Sequence, residues 1–269
     1  QPGSFGSKSV LARFSVIFAG PFFNFIMAFV CAVILMAMTG YISPQITEVT
    51  GGTPAEAAGL MAGDVITKYD HTGIKTFSDF QVALMLNSGE TFKLTYLRDG
   101  QKQEVEITPR LDDDGIYRIG IVGGEYVEPG PLGCITAGLH EVKANVVIVI
   151  QSLKLMVLGR VSRQDVAGPV GMFSMIGDSY EEATTYGIKT VFLTLINMIL
   201  LLSANLGVMN LLPIPALDGG RLVFLIFEAV RGKPVDPDKE GLVHAVGFIL
   251  LMILMVVIMF NDILKLMGI

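Results

Sequence analysis

Three stretches of this chain carry apolar residues without a charge to interrupt them, and after the first the pattern shifts to short alternations of apolar and polar positions. Residues 14–47 and 190–217 contain no Asp, Glu, Lys or Arg. A helix rises about 1.5 Å per residue and the hydrocarbon layer is about 30 Å thick, so about 20 apolar residues are enough to cross it. The pattern predicts spanning helices over 14–38, 188–212 and 242–260. From Ile46 the period changes to two, with strand-like runs at 46–49, 64–69, 91–97 and 103–108, bounded by Gly, Pro and Asp. Asp99-Gly100 between the last two runs is the signal of a tight hairpin. Two short helices are expected among the strands, one opened by Thr53 as N-cap with Pro54 at its first position, the other over 78–87. Residues 111–133 read as a connector with a possible short strand at 117–122. Residues 137–159 are rich in aliphatics but carry Glu141, Lys143 and Lys154, which suits a helix lying at the membrane interface.

These patterns divide the chain into a first transmembrane segment (1–45), a small α+β domain (46–110), a connector with an interfacial helix and a Gly-Pro loop (111–187), and two transmembrane segments (188–269). The fold class expected is a membrane protein with a helical transmembrane core of three spans and an inserted α+β domain. Composition agrees: the 269 residues are 52% hydrophobic and 16% charged, too apolar for a soluble domain and too mixed for a bundle of membrane helices alone. Lys8 and Arg13 precede the first span, and Arg221, Arg231, Lys233 and Lys239 lie between the last two. Short Lys/Arg-rich flanks mark the cytoplasmic side, which puts the α+β domain outside. A net charge of −6 leaves no basic footprint for nucleic acid. Cys31 and Cys134 are too far apart in the sequence and too differently placed to suggest a disulfide framework or a cysteine metal site. The chain begins at Gln1 without a signal-like leader, so it is expected to be a portion of a longer protein.

One carboxylate stands out. Asp218 ends the uncharged run 190–217, after Pro213 and Pro215 have each removed a backbone donor. Spacing alone leaves two readings. In one the helix ends at Leu212 and Asp218 is a solvated loop residue. In the other, irregular backbone at membrane depth lines a polar cavity, and the ionisable group is functional. Three histidines are present, His71, His140 and His244. His140-Glu141 starts like a zinc-protease motif, but Ala144 stands where the second histidine would fall, so the pair on one helix face is missing. His71 and His140 read as ordinary surface or partly buried residues, and His244 as a helix-end residue.

Motifs sharpen this picture. Gly52-Thr-Pro-Ala-Glu-Ala-Ala-Gly-Leu-Met-Ala-Gly-Asp-Val-Ile66 resembles the signature of a PDZ domain of the bacterial protease-associated type. Such a domain binds an extended segment or C-terminus by adding it as a strand. With Phe18-Ala-Gly-Pro-Phe-Phe-Asn-Phe25 before it and Asn210-Leu-Leu-Pro-Ile-Pro-Ala-Leu-Asp-Gly-Gly220 after it, the chain is similar to the site-2 protease family of intramembrane zinc metalloproteases. The match is nearest to the bacterial regulator-of-sigma-E protease branch; Gly168-Pro-Val-Gly171 and Glu228-Ala-Val-Arg-Gly-Lys-Pro234 fit it too. The resemblance implies a zinc cofactor with Asp218 as metal ligand. It gives Asn210, Pro213 and Pro215 a role in binding an unwound substrate. The substrates it implies are single-span membrane proteins, such as an anti-sigma factor or a signal-peptide remnant, met within the lipid of the bacterial cytoplasmic membrane. The family's His-Glu-x-x-His helix, with two zinc ligands and the general base, is expected upstream of Gln1; these residues alone are not expected to hydrolyse anything. The competing reading is a non-catalytic PDZ-bearing membrane adaptor derived from such a protease. A transporter is disfavoured because no inverted repeat is visible.

Overall fold

The computed structural model describes residues 8–112, 116–158, 168–233 and 235–267. Contacts divide the chain into two units, one from Phe29 to Gln151 and the other built from the residues up to Ala28 and from Ser152 onward. Helix α1, Val10–Thr39, contributes to both.

In the middle unit β1 (Tyr41–Ile42), β2 (Ile46–Val49), α2 (Pro54–Ala57), β3 (Val65–Tyr69), β4 (Thr72–Gly73), α3 (Phe77–Leu86), β5 (Phe92–Arg98) and β6 (Gln101–Ile107) follow in order. Next come β7 (Arg110–Leu111), β8 (Tyr117–Arg118), β9 (Ile121–Gly123), β10 (Tyr126–Val127) and α4 (Pro131–Val157). A four-stranded antiparallel sheet runs β4-β3-β5-β6. Its β5–β6 register, Phe92 opposite Ile107 and Arg98 opposite Gln101, is set by the expected hairpin, where Asp99 and Gly100 both take positive φ. Helix α3 is opened by Thr76, whose hydroxyl accepts from the Asp79 amide while Asp79 accepts from the Thr76 amide. Together these form the expected PDZ-like α+β domain, with Ile46, Ile66, Phe80, Leu94 and Ile119 at the centre of its core.

Two features differ from expectation. Residues read as a connector with one possible strand at 117–122 supply several strands to this domain: β9 pairs with β2, β10 with β1, and Ile119 is 1% exposed within the core. Strands of two or three residues are too short for their alternation to stand out in a sequence. The segment expected as an interfacial helix is one continuous 27-residue helix, α4. By length and composition it is long and apolar enough to cross a membrane, which makes four such helices among the described residues instead of three.

Asp64, read from the sequence as the start of a strand-like run, is 1% exposed. Its Oδ1 accepts from Arg98 Nε at 2.7 Å and its Oδ2 from Arg98 Nη2 at 2.8 Å and from the Met61 amide at 2.9 Å. Asp64→Ala is expected to lower the stability of this unit by about 3 kcal/mol. The loss falls at the low end for a broken pair because the Arg98 side chain, 25% exposed, can turn to water. Hydrogen exchange at the Leu94 and Tyr96 amides measures it, and unchanged protection would refute it.

The second unit is helical: the first part of α1, then α5 (Pro169–Thr185), α6 (Ile188–Leu211), α7 (Asp218–Arg231) and α8 (Pro237–Leu266). Helix α5 packs on α6 and α8, and α6 on α7. The carboxylate of Asp262 on α8 accepts from the Gly168 amide at 3.0 Å and the Gly171 amide at 2.8 Å, tying down the start of α5. Asp165 of the expected Gly-Pro loop and Pro234 of the Glu228 motif lie outside the described residues, as does Gln1.

Candidate functional site

Helix α6 stops at Leu211 because Pro213 and Pro215 cannot donate to the carbonyls behind them, and each pushes the residue before it out of the helical region. Six residues, 212–217, then make a tight connection. The Ile214 amide donates to Leu212 O at 2.7 Å, the Leu217 amide to Ile214 O at 3.1 Å, and Ala216 sits at φ +83°, where an L-residue is strained. The chain turns directly into α7, whose first residue is Asp218.

Two glycines make this turn possible. A Cβ on Gly219 would lie 2.2 Å from Leu212 O and 2.4 Å from Leu211 O, and one on Gly220 would lie 2.5 Å from Ile214 O. The first turn of α7 therefore rests on the carbonyls of the loop, an approach open only to residues without a side chain.

Asp218 is half-buried, and its carboxylate makes no hydrogen bond or ion pair with any described residue. Its position in the first turn of α7 puts it at the positive end of the helix dipole. On its far side is α1. A Cβ on Gly20 would lie 3.3 Å from Asp218 Oδ2, so the small residue leaves room for the carboxylate. Phe25, further along α1, packs its ring against Gly207 of α6. Gly20 of the Phe18–Phe25 motif is thus part of the wall behind Asp218, a role that the motif's sequence did not disclose. Pro21 itself is fully buried.

A second link joins the same helices. Arg13 Nη2 of α1 donates to Glu228 Oε1 of α7 at 2.5 Å, and both side chains are largely buried, 14% and 13% exposed. Arg13→Ala is expected to cost about 3 kcal/mol, since it leaves Glu228 unpaired. The Arg13→Ala/Glu228→Ala double variant should cost less than the sum of the two single changes. Unfolding titrated with SDS in mixed micelles measures both, and strict additivity would show that the pair does not couple.

Asn210 lies in the last turn of α6, half-buried, its amide unbonded among the described residues. Asn210, Pro213, Pro215 and Asp218 therefore fall within one end of α6, its loop and the start of α7. The histidines do not gather there as a set. His71 is exposed in the β3–β4 turn. His140 of α4 faces Asp79 of α3 at 3.0 Å. His244 of α8 approaches the loop but meets backbone: its Nδ1 accepts from the Ala216 amide at 2.9 Å. Among the described residues no group of three or more His, Cys, Asp or Glu side chains could hold a metal ion. An unpaired, half-buried carboxylate suits one zinc ligand, and the described residues do not complete a site around it.

A sequence profile of peptidase family M50 matches residues 1–254. The zinc metalloprotease RasP of Oceanobacillus iheyensis is 37% identical over 272 residues, covering 97% of this chain and 62% of its own length. The regulator of sigma-W protease RasP of Bacillus subtilis is 35% identical over 266 residues, covering 97% of this chain and 61% of its own. The chain thus spans about three fifths of the length of these two relatives. Among solved structures, the PDZ domain of an SdrC-like protein from Listeria monocytogenes aligns with 31% of this chain and 88% of its own, at 27% identity and a TM-score of 0.28.

Proposed function

This chain belongs to peptidase family M50, and we propose that it forms part of an intramembrane zinc endopeptidase that cleaves single-span membrane proteins. The observation that carries the proposal is Asp218: a carboxylate with no partner among the described residues, first in α7 and joined by a proline-broken loop to a helix long enough to span a membrane. A charge taken partly out of water is costly unless it is paired or binds a metal, so an unpaired, half-buried one beside a spanning helix points to a ligand.

In this reading Asp218 is one of three protein ligands. The motif His-Glu-x-x-His does not occur in these 269 residues, so two histidine ligands and the general base would be supplied by residues outside them. A zinc ion bound with one open position polarises a carbonyl and lowers the pKa of its water to about 7. This chain's own residues serve the substrate. A membrane helix hides its carbonyls in internal hydrogen bonds, and the freed groups need new partners once it unwinds. The Asn210 amide can both donate and accept, and Pro213 and Pro215 keep the loop from closing into helix and claiming those partners itself.

Topology supports the same reading. Three crossings, by α1, α6 and α8, leave Lys8 and Arg13 on the same side as Arg221, Arg231, Lys233 and Lys239, which is then the cytoplasm. A fourth crossing by α4 would split these basic flanks between the two faces. Helix α4 is also the least apolar of the four and carries Glu141, Lys143 and Lys154, so we place it at the interface and the PDZ-like domain outside. There the domain would capture an extended peptide or C-terminus, or exclude substrates that keep a bulky outer domain.

The test is the complete protein in liposomes with a single-span substrate such as an anti-sigma factor or signal-peptide remnant. Cleavage within the membrane segment is expected, to be lost on treatment with 1,10-phenanthroline and restored by zinc. Binding of the substrate tail without zinc and without cleavage would replace the protease reading with that of a membrane adaptor.

A further inference from the structure

We infer that His244 is a positioning residue that fixes the loop presenting Asp218; the inference rests on the reading of Asp218 as a zinc ligand. The loop 212–217 has four backbone donors, because Pro213 and Pro215 have none. Three of them, Leu212, Ile214 and Leu217, bond to carbonyls of the same segment or of α6. The fourth, the Ala216 amide, turns to another helix and donates to His244 Nδ1 at 2.9 Å. Ala216 is also the strained residue of the loop, at φ +83°. Strain of this kind persists only where surrounding contacts over-determine it, and the imidazole is that contact.

The neighbourhood holds the ring in place. One helical turn beyond His244, Gly247 lets α8 come so close that an added Cβ would lie 2.5 Å from Pro215 Cβ and 2.7 Å from Pro215 O. The Phe224 ring of α7 lies 5.6 Å from the imidazole, centroid to centroid. Helix α8 thus grips both Pro215 and Ala216, the residues just before Leu217 and Asp218. Because Nδ1 accepts, the proton of the ring is on Nε2. That atom is buried and has no partner among the described residues. A ring placed here for apolar packing alone would carry this unmade bond for nothing, whereas any aliphatic side chain would avoid it. The bond to Ala216 accounts for the imidazole.

The consequence is geometric. Asp218 has no side-chain partner among the described residues, so its direction is set by the backbone before it and by Gly20 behind it. Residues that orient a metal ligand typically matter at the level of about 10 to 100-fold in metal affinity when removed.

The experiment uses the complete protein in detergent micelles, with wild type, His244→Leu, His244→Asn and Asp218→Asn. Leucine keeps the bulk and removes the acceptor; asparagine places a carbonyl oxygen near the position of Nδ1. Two quantities are read: zinc affinity by competition with a chelator, and hydrogen exchange of the Ala216 amide. His244→Leu is expected to weaken zinc about tenfold and to speed exchange at Ala216. His244→Asn is expected to return both to near the wild-type values. Unchanged exchange in His244→Leu overturns the inference, as does a His244→Asn variant as impaired as His244→Leu, which would mean that only ring packing matters. Full zinc affinity in Asp218→Asn, with exchange at Ala216 still responding to His244, would sink the ligand reading and leave the loop anchor standing.

Discussion

Asp218→Asn is expected to reduce both zinc content and cleavage by the complete protein by more than about 100-fold, the upper end of the loss seen for residues that merely support a ligand. An amide of the same shape keeps the packing against Gly20 but offers zinc a neutral oxygen in place of an anionic one. The fold should hardly notice. A carboxylate in the first turn of a helix gains about 0.3–1 kcal/mol from the dipole, and an unpaired, half-buried charge pays a desolvation cost of opposite sign. The two roughly cancel, so the unfolding midpoint should stay near that of wild type while metal is lost. Zinc measured by atomic emission after gel filtration, beside a thermal melt, separates the outcomes. Wild-type zinc content in the variant would remove Asp218 from the metal site, and a collapsed melt would make it a structural residue.

Gly219→Ala is the second large effect, and it arises from a single methyl group. Its Cβ would sit 2.2 Å from Leu212 O and 2.4 Å from Leu211 O, and both neighbours are backbone that cannot rotate away. Either α7 lifts off the loop or the loop unwinds. We expect a destabilisation of about 3 kcal/mol, the upper range for overpacking. Activity should fall by about 100-fold or more, since a shift of about 1 Å in a positioned group is enough for that. The control is on the same helix. Gly232, the C-cap of α7, has φ +68° and open space around its Cβ position, so Gly232→Ala meets only the left-handed backbone penalty of about 1 kcal/mol. If both alanines cost the same in SDS-titrated unfolding and in cleavage, the close approach of α7 to the loop is not what matters.

These two predictions use different parts of the same motif, and they show how much of the site was legible beforehand. Asp218 was visible because a charge after 28 uncharged residues, 190–217, breaks a pattern. Pro213 and Pro215 were visible because proline acts on its own neighbours whatever the rest of the chain does. Gly219 and Gly220 were visible only as part of the motif, and the structure identifies what they approach: the carbonyls of Leu211, Leu212 and Ile214. Gly20, His244 and the Arg13–Glu228 pair gave no such signal. Glycine in an apolar helix, histidine near a helix end and an arginine flanking a membrane span all have commoner explanations.

The α+β domain divides in the same way. Its hairpin, its Thr76-capped helix and its central strands could be placed to within a few residues, because alternation, turn residues and caps act over a handful of positions. Its short strands at 117–127 were legible only as one possible strand at 117–122, since they are strands because 41–49 and 110–111 lie beside them. Asp64, by sequence only the first residue of a strand-like run, is the buried partner of Arg98, 34 positions away. Helix α4 shows the converse: its apolar run gave a helix, while its charges were read as marking where it lies.

By itself, then, the sequence determined the periodicities: where helices long enough for a membrane run, where strands alternate, and where two prolines and a carboxylate interrupt them. Those are short-range properties, written in residues close enough along the chain to be read together. Only the tertiary structure decided which distant residues meet: Gly20 with Asp218, His244 with Ala216, and Arg13 with Glu228 across 215 positions. Such contacts depend on how helices pack after they form, and packing is specified by the fit of whole surfaces, to which any one residue in the sequence contributes too little to be singled out.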